Sequence, residues 1–317
     1  MAHRSVFGPV LSRRLGLSLG IDLIPFKTCS FNCAYCECGA YPFTIMERQD
    51  FIPAEQVCAE LAGVLSSRPQ LDSITFAGSG EPTLARSLGP VISWIRREYP
   101  EYTVSVLTNG SLLSDPQVCS ELLPAGRVVP TLTSAFQTTF ERIHHPHPFF
   151  RIDTIIESLV RFRDQYTGEL WLEVFIIPGI NTSDAELAGL KAAIHRIRPD
   201  LVQLNRLDRP APEPWVTRAT DEELEQVSTH LGSFPVDCPV EIVGRHPHVS
   251  QATKEKTGPR EIVRAILSRK PSTCTELAEG SGLERAEVGE ILASLERQGI
   301  ITRKLGAQGT EYVLCEK

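Results

Sequence analysis

Long apolar runs are missing from this sequence. Nowhere in its 317 residues is there the stretch of roughly 18 to 20 apolar side chains that a membrane-spanning helix needs. The opening segment, MAHRSVFGPVLSRRLGLSLG, has no apolar core ahead of a small-residue cleavage site, so no secretory signal is read. The expectation is a cytoplasmic protein with no membrane partner. Basic charge is not in excess either: 32 Lys and Arg stand against 39 Asp and Glu, a net charge of -7. That argues against a dedicated nucleic-acid binder, whose footprint is usually basic. No Gly-x-Gly-x-x-Gly follows the first predicted strand, which weakens a dinucleotide-binding reading. The first 28 residues hold no cysteine, and then four arrive within ten positions.

What is present is ordinary globular material, 42% hydrophobic and 22% charged, in a chain long enough to bury a core. Up to about residue 250 it alternates between two patterns. Short β-branched runs appear at 21–25, 73–78, 102–110, 127–134, 170–179 and 200–207. Helical patterns lie between most of them, at 53–68, 84–99, 153–166 and 183–198. Strands alternating with helices imply a parallel sheet with right-handed crossovers. Six such units predict an α/β fold, a partial (β/α)6 TIM-like barrel, with an open doubly wound sheet as the rival. In either case the active site belongs at the C-terminal ends of the strands. A polar stretch with Gly, Pro, His and Lys, 244–259, reads as a linker. The expected domains are therefore 1–250 and 251–317.

The cysteines sit in CSFNCAYCECG, 29–39, just past the first predicted strand. In a cytoplasmic protein such clusters read as metal ligands or redox centres, not disulfides. Cys29, Cys33 and Cys36 have the spacing C-x3-C-x2-C. Three thiolates so spaced suit three irons of a [4Fe–4S] cluster and leave the fourth iron without a protein ligand. An open position is what a reactive metal site needs. The alternative is a zinc knuckle with Cys38 or a histidine as fourth ligand, although no second paired half lies nearby. The other cysteines, Cys58, Cys119, Cys238, Cys274 and Cys315, are scattered without ligand spacing.

C-x3-C-x2-C with an aromatic residue, Tyr35, before the third cysteine resembles the signature of the radical S-adenosylmethionine (radical SAM) enzymes. The resemblance extends over roughly residues 8 to 250. GSGEPT, 78–83, is similar to the family's Gly-Gly-Glu-Pro segment, with Ser79 in place of the second glycine. TNG, 108–110, ends the third predicted strand, Ser134 the fourth, and NRLDRP, 205–210, the sixth. Within the superfamily, GPVLSRRLGLSLGIDLIPFKTCSFNCAYC looks most like a branch of iron–sulfur oxidoreductases related to tRNA 4-demethylwyosine synthases. Archaeal members of that branch carry a second cluster on cysteines upstream of the motif. This chain has none there, so one cluster is expected.

The resemblance implies two cofactors, a [4Fe–4S] cluster on Cys29, Cys33 and Cys36 and S-adenosylmethionine chelated to its open iron. It implies reductive cleavage to methionine and a 5′-deoxyadenosyl radical that takes hydrogen from a substrate. An electron donor of flavodoxin or ferredoxin type is the implied partner. Gly78 and Gly80 are expected to let backbone approach the methionyl group, with Glu81 near its ammonium. Tyr35 is expected beside the adenine, Asn109 and Ser134 near the ribose, and Asn205 at the adenine edge. Plainer readings stand beside these. GSGEPT is also an ordinary turn, and a polar residue ending a strand is also a helix cap.

Three further features are open. Arg13 and Arg14 suit phosphate or carboxylate recognition through the planar guanidinium fork, or are a solvated surface pair. Lys27 either balances the charge of a reduced cluster or is a surface lysine. His144, His145 and His147 form HHPHP, read as an ordinary Pro-rich loop in preference to a metal or phosphate site.

Beyond the linker, three short helical patterns and a hairpin resemble a winged helix-turn-helix. Its third helix carries Glu284, Glu287, Glu290 and Glu296 against Arg285 and Arg297, which argues against sequence-specific DNA binding. Only Arg303 and Lys304 in the wing suit phosphate. A module for docking a protein, the substrate or a second subunit is expected instead, with RNA contact through the wing left open. Two rivals remain, an activase that installs a glycyl radical on a partner and a winged-helix regulator whose cluster senses redox state.

Overall fold

The computed structural model describes residues 5–40, 43–232, 238–244, 258–267, 272–281, 283–306 and 309–315. The chain opens with a hairpin, β1 (Val6–Ser12) antiparallel to β2 (Gly16–Ile21). Six strands then add in sequence order, all parallel to β2. They are β3 (Ser73–Phe76), β4 (Val104–Thr108), β5 (Arg127–Pro130), β6 (Glu169–Phe175), β7 (Leu201–Asn205) and β8 (Val240–Ile242). Helices α1 (Ala54–Leu65), α2 (Leu88–Glu98), α3 (Pro116–Leu122), α4 (Gln137–His144), α5 (Ile152–Gln165), α6 (Asp184–Ile197) and α7 (Asp221–Gly232) fill the connections. Among the described residues no ladder joins β1 to β8, so the barrel is partial, as the alternation predicts.

Two differences from the sequence reading have physical causes. The first parallel strand is 16–21, not 21–25: the chain leaves the sheet after Ile21, ahead of Pro25, to start the cysteine loop. Strand β1 escapes detection because VFGPVLS has glycine and proline in its middle, which hide a period of two.

Alternation along the strands sorts the side chains. Leu19, Ile74, Phe76, Val106, Leu172 and Leu204 face outward and join the helices in one buried cluster. The inward set differs. Ser18, Thr75, Ser73 and Ser105 form a chain of hydroxyl hydrogen bonds of 2.7 to 2.9 Å on one wall. On the facing wall Val129 and Trp171 close on Leu15, which comes from the β1–β2 turn. That turn enters the barrel and packs against β5 and β6.

The turn is also tied by charge. Arg13 pairs with Asp208 at 2.8 Å, and Arg14 with Glu173 on β6 at 2.6 Å. The carboxylates recognised by the arginine pair are the protein's own. Burial alone would raise the Glu173 carboxyl, but Arg14 and hydrogen bonds from Thr131 and Asn205 hold it below the ordinary range.

The C-terminal elements are α8 (Pro259–Leu267), β9 (Ser272–Thr273), α9 (Cys274–Ser281), α10 (Arg285–Arg297) and the hairpin β10 (Ile301–Gly306) with β11 (Gly309–Leu314). They share a small core that includes Val263, Leu277, Leu292 and Ile301. Ile262 and Ile266 pack on Leu11 and Leu17, which flank the β1–β2 turn. This contact lies at the end of β2 remote from the cysteines. Of the predicted linker, 245–257 falls outside the described residues.

Replacing Glu173 by Gln strands Arg14 beside an uncharged partner and is expected to cost about 2 to 4 kcal/mol at neutral pH. The native carboxyl titrates below its ordinary 4.5. Its contribution is therefore full above that value and is lost as pH falls through the lowered native one. Urea unfolding of both proteins from pH 7 to pH 3 should show the difference shrinking with acid; equal stability at pH 7 contradicts the pairing.

Candidate active site

The cysteine loop runs from the end of β2 to α1, at the C-terminal side of the sheet. Backbone hydrogen bonds fix it from three directions. Lys27 N–H donates to the Ser79 carbonyl at 2.7 Å, and Glu81 N–H to the Thr28 carbonyl at 3.1 Å. Ile45 N–H donates to the Cys29 carbonyl at 2.9 Å. On the far side Asn32 and Ala34 donate to the carbonyls of His144 and Ile143 at 2.9 and 2.8 Å. Those carbonyls belong to the last turn of α4, where helical partners run out. Cys33 therefore sits between two residues clamped to a helix end.

The glycines of GSGEPT make close approach possible, and the approach visible here is to the loop itself. A Cβ at Gly80 would lie 1.8 Å from the Thr28 carbonyl oxygen. Gly78 has φ +149°, and a Cβ there would lie 2.4 Å from the Asp22 carboxyl carbon. Asp22 in turn accepts from the Ser79 N–H and hydroxyl at 3.0 and 2.6 Å. So Ser79, where the family segment has glycine, is used to pin the turn to β2's exit. Glu81 is buried and accepts four hydrogen bonds, from Thr83 N–H, the Thr83 and Thr108 hydroxyls, and Asn109 N–H. Its carboxylate locks GSGEPT to TNG; burial raises its pKa against those bonds.

Asn109 reaches the cysteine loop, its side-chain amide donating to Ser30 Oγ at 2.8 Å and Cys29 Sγ at 3.6 Å. Tyr35 stacks on Phe175, ring centres 3.9 Å apart. Ser134 is fully buried, accepts from Phe136 N–H at 2.9 Å and donates to Glu186 at 2.6 Å, so its hydroxyl is committed at the start of α4. Asn205 donates to Glu173 at 2.7 Å and faces the lumen. Cysteines, GSGEPT, Asn109 and Tyr35 thus converge, while Ser134 stands apart in its own network. Beside Glu173 on β7, Gln203 is fully buried and its amide has no hydrogen-bond partner among the described residues.

Sequence reasoning missed His144 and Glu173. His144 is no loop residue: it ends α4, is buried, and places Nδ1 3.1 Å from Cys33 Sγ and Nε2 2.6 Å from Thr133 Oγ1. Burial lowers its pKa to about 3, keeping the ring neutral. Its signal was the spacing of Phe140, Ile143 and His144, which puts a histidine on an apolar helix face. Glu173 was legible as the lone charge inside LWLEVF, which demands a partner.

The thiols differ. Burial, reinforced by Glu81, pushes Cys29 up to about 12. Cys33 is also raised by burial, and further by Cys29 and Cys36. Cys36 moves down: the Cys38 thiol hydrogen-bonds to it, and so does Lys27, a buried lysine in a left-handed conformation. Among the described residues no three His, Cys, Asp or Glu side chains are gathered as a single metal ion requires. Three separate thiols on one clamped loop, close enough to repel one another as thiolates, fit a cluster that offers one iron to each.

A family model described as the radical SAM superfamily matches residues 23–190. The chain belongs to the radical SAM superfamily. As a radical SAM enzyme it is an iron–sulfur oxidoreductase, and membership implies a [4Fe–4S] cluster, S-adenosylmethionine and an external electron donor. A UPF0026 protein of Synechocystis is 37% identical over 238 residues, 74% of this chain and 85% of that one. The GTPase Obg of Brachyspira hyodysenteriae is 36% identical over 304 residues, which is 95% of this chain but 44% of that relative. This radical SAM chain thus spans less than half of that relative's length. Two solved structures share its fold. TYW1 with a lysine–pyruvate adduct bound has a TM-score of 0.52 at 15% identity, covering 68% of this chain and 72% of that one. A radical SAM methyltransferase from Sphaerobacter thermophilus has a TM-score of 0.56 at 16% identity, covering 71% and 66%. Among the described residues no helix is long and apolar enough to cross a membrane.

In the metal-free protein Cys36 should be the first of the three to react with iodoacetamide near neutral pH, because it alone is held toward thiolate. Peptide mapping after brief alkylation reads the order. Preferential labelling of Cys29 or Cys33 contradicts it.

Proposed function

We propose that Cys29, Cys33 and Cys36 hold one [4Fe–4S] cluster at the barrel mouth, and that the chain cleaves S-adenosylmethionine there to modify a macromolecular substrate. The observation that carries this reading is the convergence on one clamped loop of three thiols, GSGEPT and Asn109. When bound, the two cofactors supply an electron and a carbon-centred radical.

The chain's own residues hold and orient. The two glycines and Ser79 keep the GSGEPT turn flush against the loop, where its backbone would lie beside the methionyl group of S-adenosylmethionine. Glu81 acts through that turn and through Asn109, since its oxygens already accept four bonds. Tyr35 offers an apolar ring for the adenine. Asn109 is the better placed ribose partner, because its side chain lies against the cysteine loop at Ser30 and Cys29, whereas Ser134 bonds to Glu186 in a separate network. Asn205 and the unpartnered Gln203 amide line the lumen on β7 and favour a polar substrate group there. Leu15 and the Arg14–Glu173 pair occupy the lumen between β5, β6 and the β1–β2 turn, and would help to exclude water from the site.

The C-terminal elements serve as a winged-helix module for substrate docking, and protein suits it better than RNA. Besides the acidic α10, the wing's Arg303 is already paired with Glu296 at 2.6 Å and lies over Tyr312. A flavodoxin- or ferredoxin-type protein is the proposed electron donor.

Anaerobic reconstitution with iron and sulfide, followed by dithionite and S-adenosylmethionine, should yield 5′-deoxyadenosine and methionine in equal amounts by mass spectrometry. A fully assembled cluster that gives no 5′-deoxyadenosine, even with cell extract added, overturns the reading in favour of a redox sensor.

A further inference from the structure

His144 is placed as a tuning group and not merely as packing. Its ring lies among Phe31, Tyr35 and Phe140, with centroid distances of 5.3 to 5.8 Å, and is shut off from solvent. Both nitrogens are nevertheless engaged, one with a thiol and one with a hydroxyl. A neutral imidazole has one N–H donor and one acceptor nitrogen. Which nitrogen carries the proton is decided by what its neighbours need. A cysteine that ligates iron has no S–H to donate and accepts only. The Thr133 hydroxyl, by contrast, donates freely. Once Cys33 is a ligand, a single assignment satisfies every group: Thr133 Oγ1–H donates to Nε2, and Nδ1–H donates to Cys33 Sγ.

We propose that His144, oriented by Thr133, is a positioning residue that donates a buried N–H hydrogen bond to the Cys33 thiolate and raises the reduction potential of the cluster. This rests on the reading that Cys33 ligates iron. The physical reason is charge. One electron enters from a low-potential reductant and makes the cluster and its thiolates more negative. An N–H dipole aimed at a ligand sulfur stabilises the reduced state more than the oxidised one, and hydrogen bonds to sulfur are among the protein's levers on cluster potential. No bond breaks at His144, and its proton stays on Nδ1. Asn109 stands in a comparable relation to Cys29, but at 3.6 Å and with the same amide shared with Ser30. His144 is nearer its sulfur, at 3.1 Å, and its other nitrogen is occupied.

The experiment is an EPR-monitored redox titration of the reconstituted protein, read beside iron and sulfide content. His144→Leu keeps an apolar side chain in the aromatic cage and removes the donor. It is expected to hold wild-type iron and to shift the midpoint downward by about 59 mV, the one-electron equivalent of a tenfold change in the reduction equilibrium. His144→Asn puts an amide N–H near the position of Nδ1 and should stay close to wild type. Thr133→Val leaves Nε2 without its donor and should shift the midpoint in the same direction by less. Should the leucine variant fail to take up iron, the asparagine and valine variants carry the same comparison. Midpoints of His144→Leu and Thr133→Val equal to wild type, or a His144→Asn midpoint as low as that of His144→Leu, overturn the proposal. Failure of the wild type itself to assemble a cluster overturns instead the ligand assignment on which it rests.

Discussion

Everything at the barrel mouth depends on how one loop is clamped. Between Thr28 and Ala34 the chain has no regular structure of its own, so its backbone groups need partners from elsewhere. Thr28 receives one from the GSGEPT turn, and Asn32 and Ala34 find theirs at the end of α4. Gly80 is the condition of the first contact, since no side chain fits between that turn and Thr28. The helix end supplies the second, because its last carbonyls have no helical donors. Thiols that would be mobile on a free loop are held at fixed places, each with hydrogen-bonding partners: Asn109 at Cys29, His144 and Tyr35 at Cys33, Lys27 and Cys38 at Cys36.

The barrel behind the loop is unsymmetrical. One wall is lined by small hydroxyl side chains that bond to one another. The facing wall carries Glu173, Gln203 and Asn205. The β1–β2 turn packs Leu15 into the barrel and is tied by two ion pairs to β6 and to the segment after β7. The C-terminal elements pack on the residues that flank this turn, Leu11 and Leu17, through Ile262 and Ile266.

Much of this was legible in the sequence. The cysteine spacing, GSGEPT and TNG are local signals, and local signals survive in one dimension. Five of the seven parallel strands, β3 to β7, were legible because buried parallel strands are β-branched runs bounded by helices, whereas β2 was placed at 21–25 and the three-residue β8 was not placed at all. What escaped is what depends on the third dimension. β1 has the wrong composition for a strand and is held by pairing with β2. The arginine pair looked like a ligand site because its carboxylate partners, Glu173 and Asp208, lie far along the chain. His144 was read within HHPHP, where proline dominates, whereas its partner Cys33 is 111 residues away. Ser134 shows the opposite error. A polar residue near a strand end drew attention, yet its hydroxyl faces Glu186, while Thr133 beside it points toward the cysteines through His144.

The central claim is that the loop between β2 and α1 holds one cluster on three named thiols and leaves the fourth aside. Iron and acid-labile sulfide, counted after anaerobic reconstitution of single alanine variants at Cys29, Cys33, Cys36 and Cys38, test it most directly. The account predicts about four irons and four sulfides per chain in the wild type and in Cys38→Ala, and loss of the cluster in each of the other three. Full iron in Cys33→Ala, or loss of iron in Cys38→Ala with retention in any of the others, would contradict it.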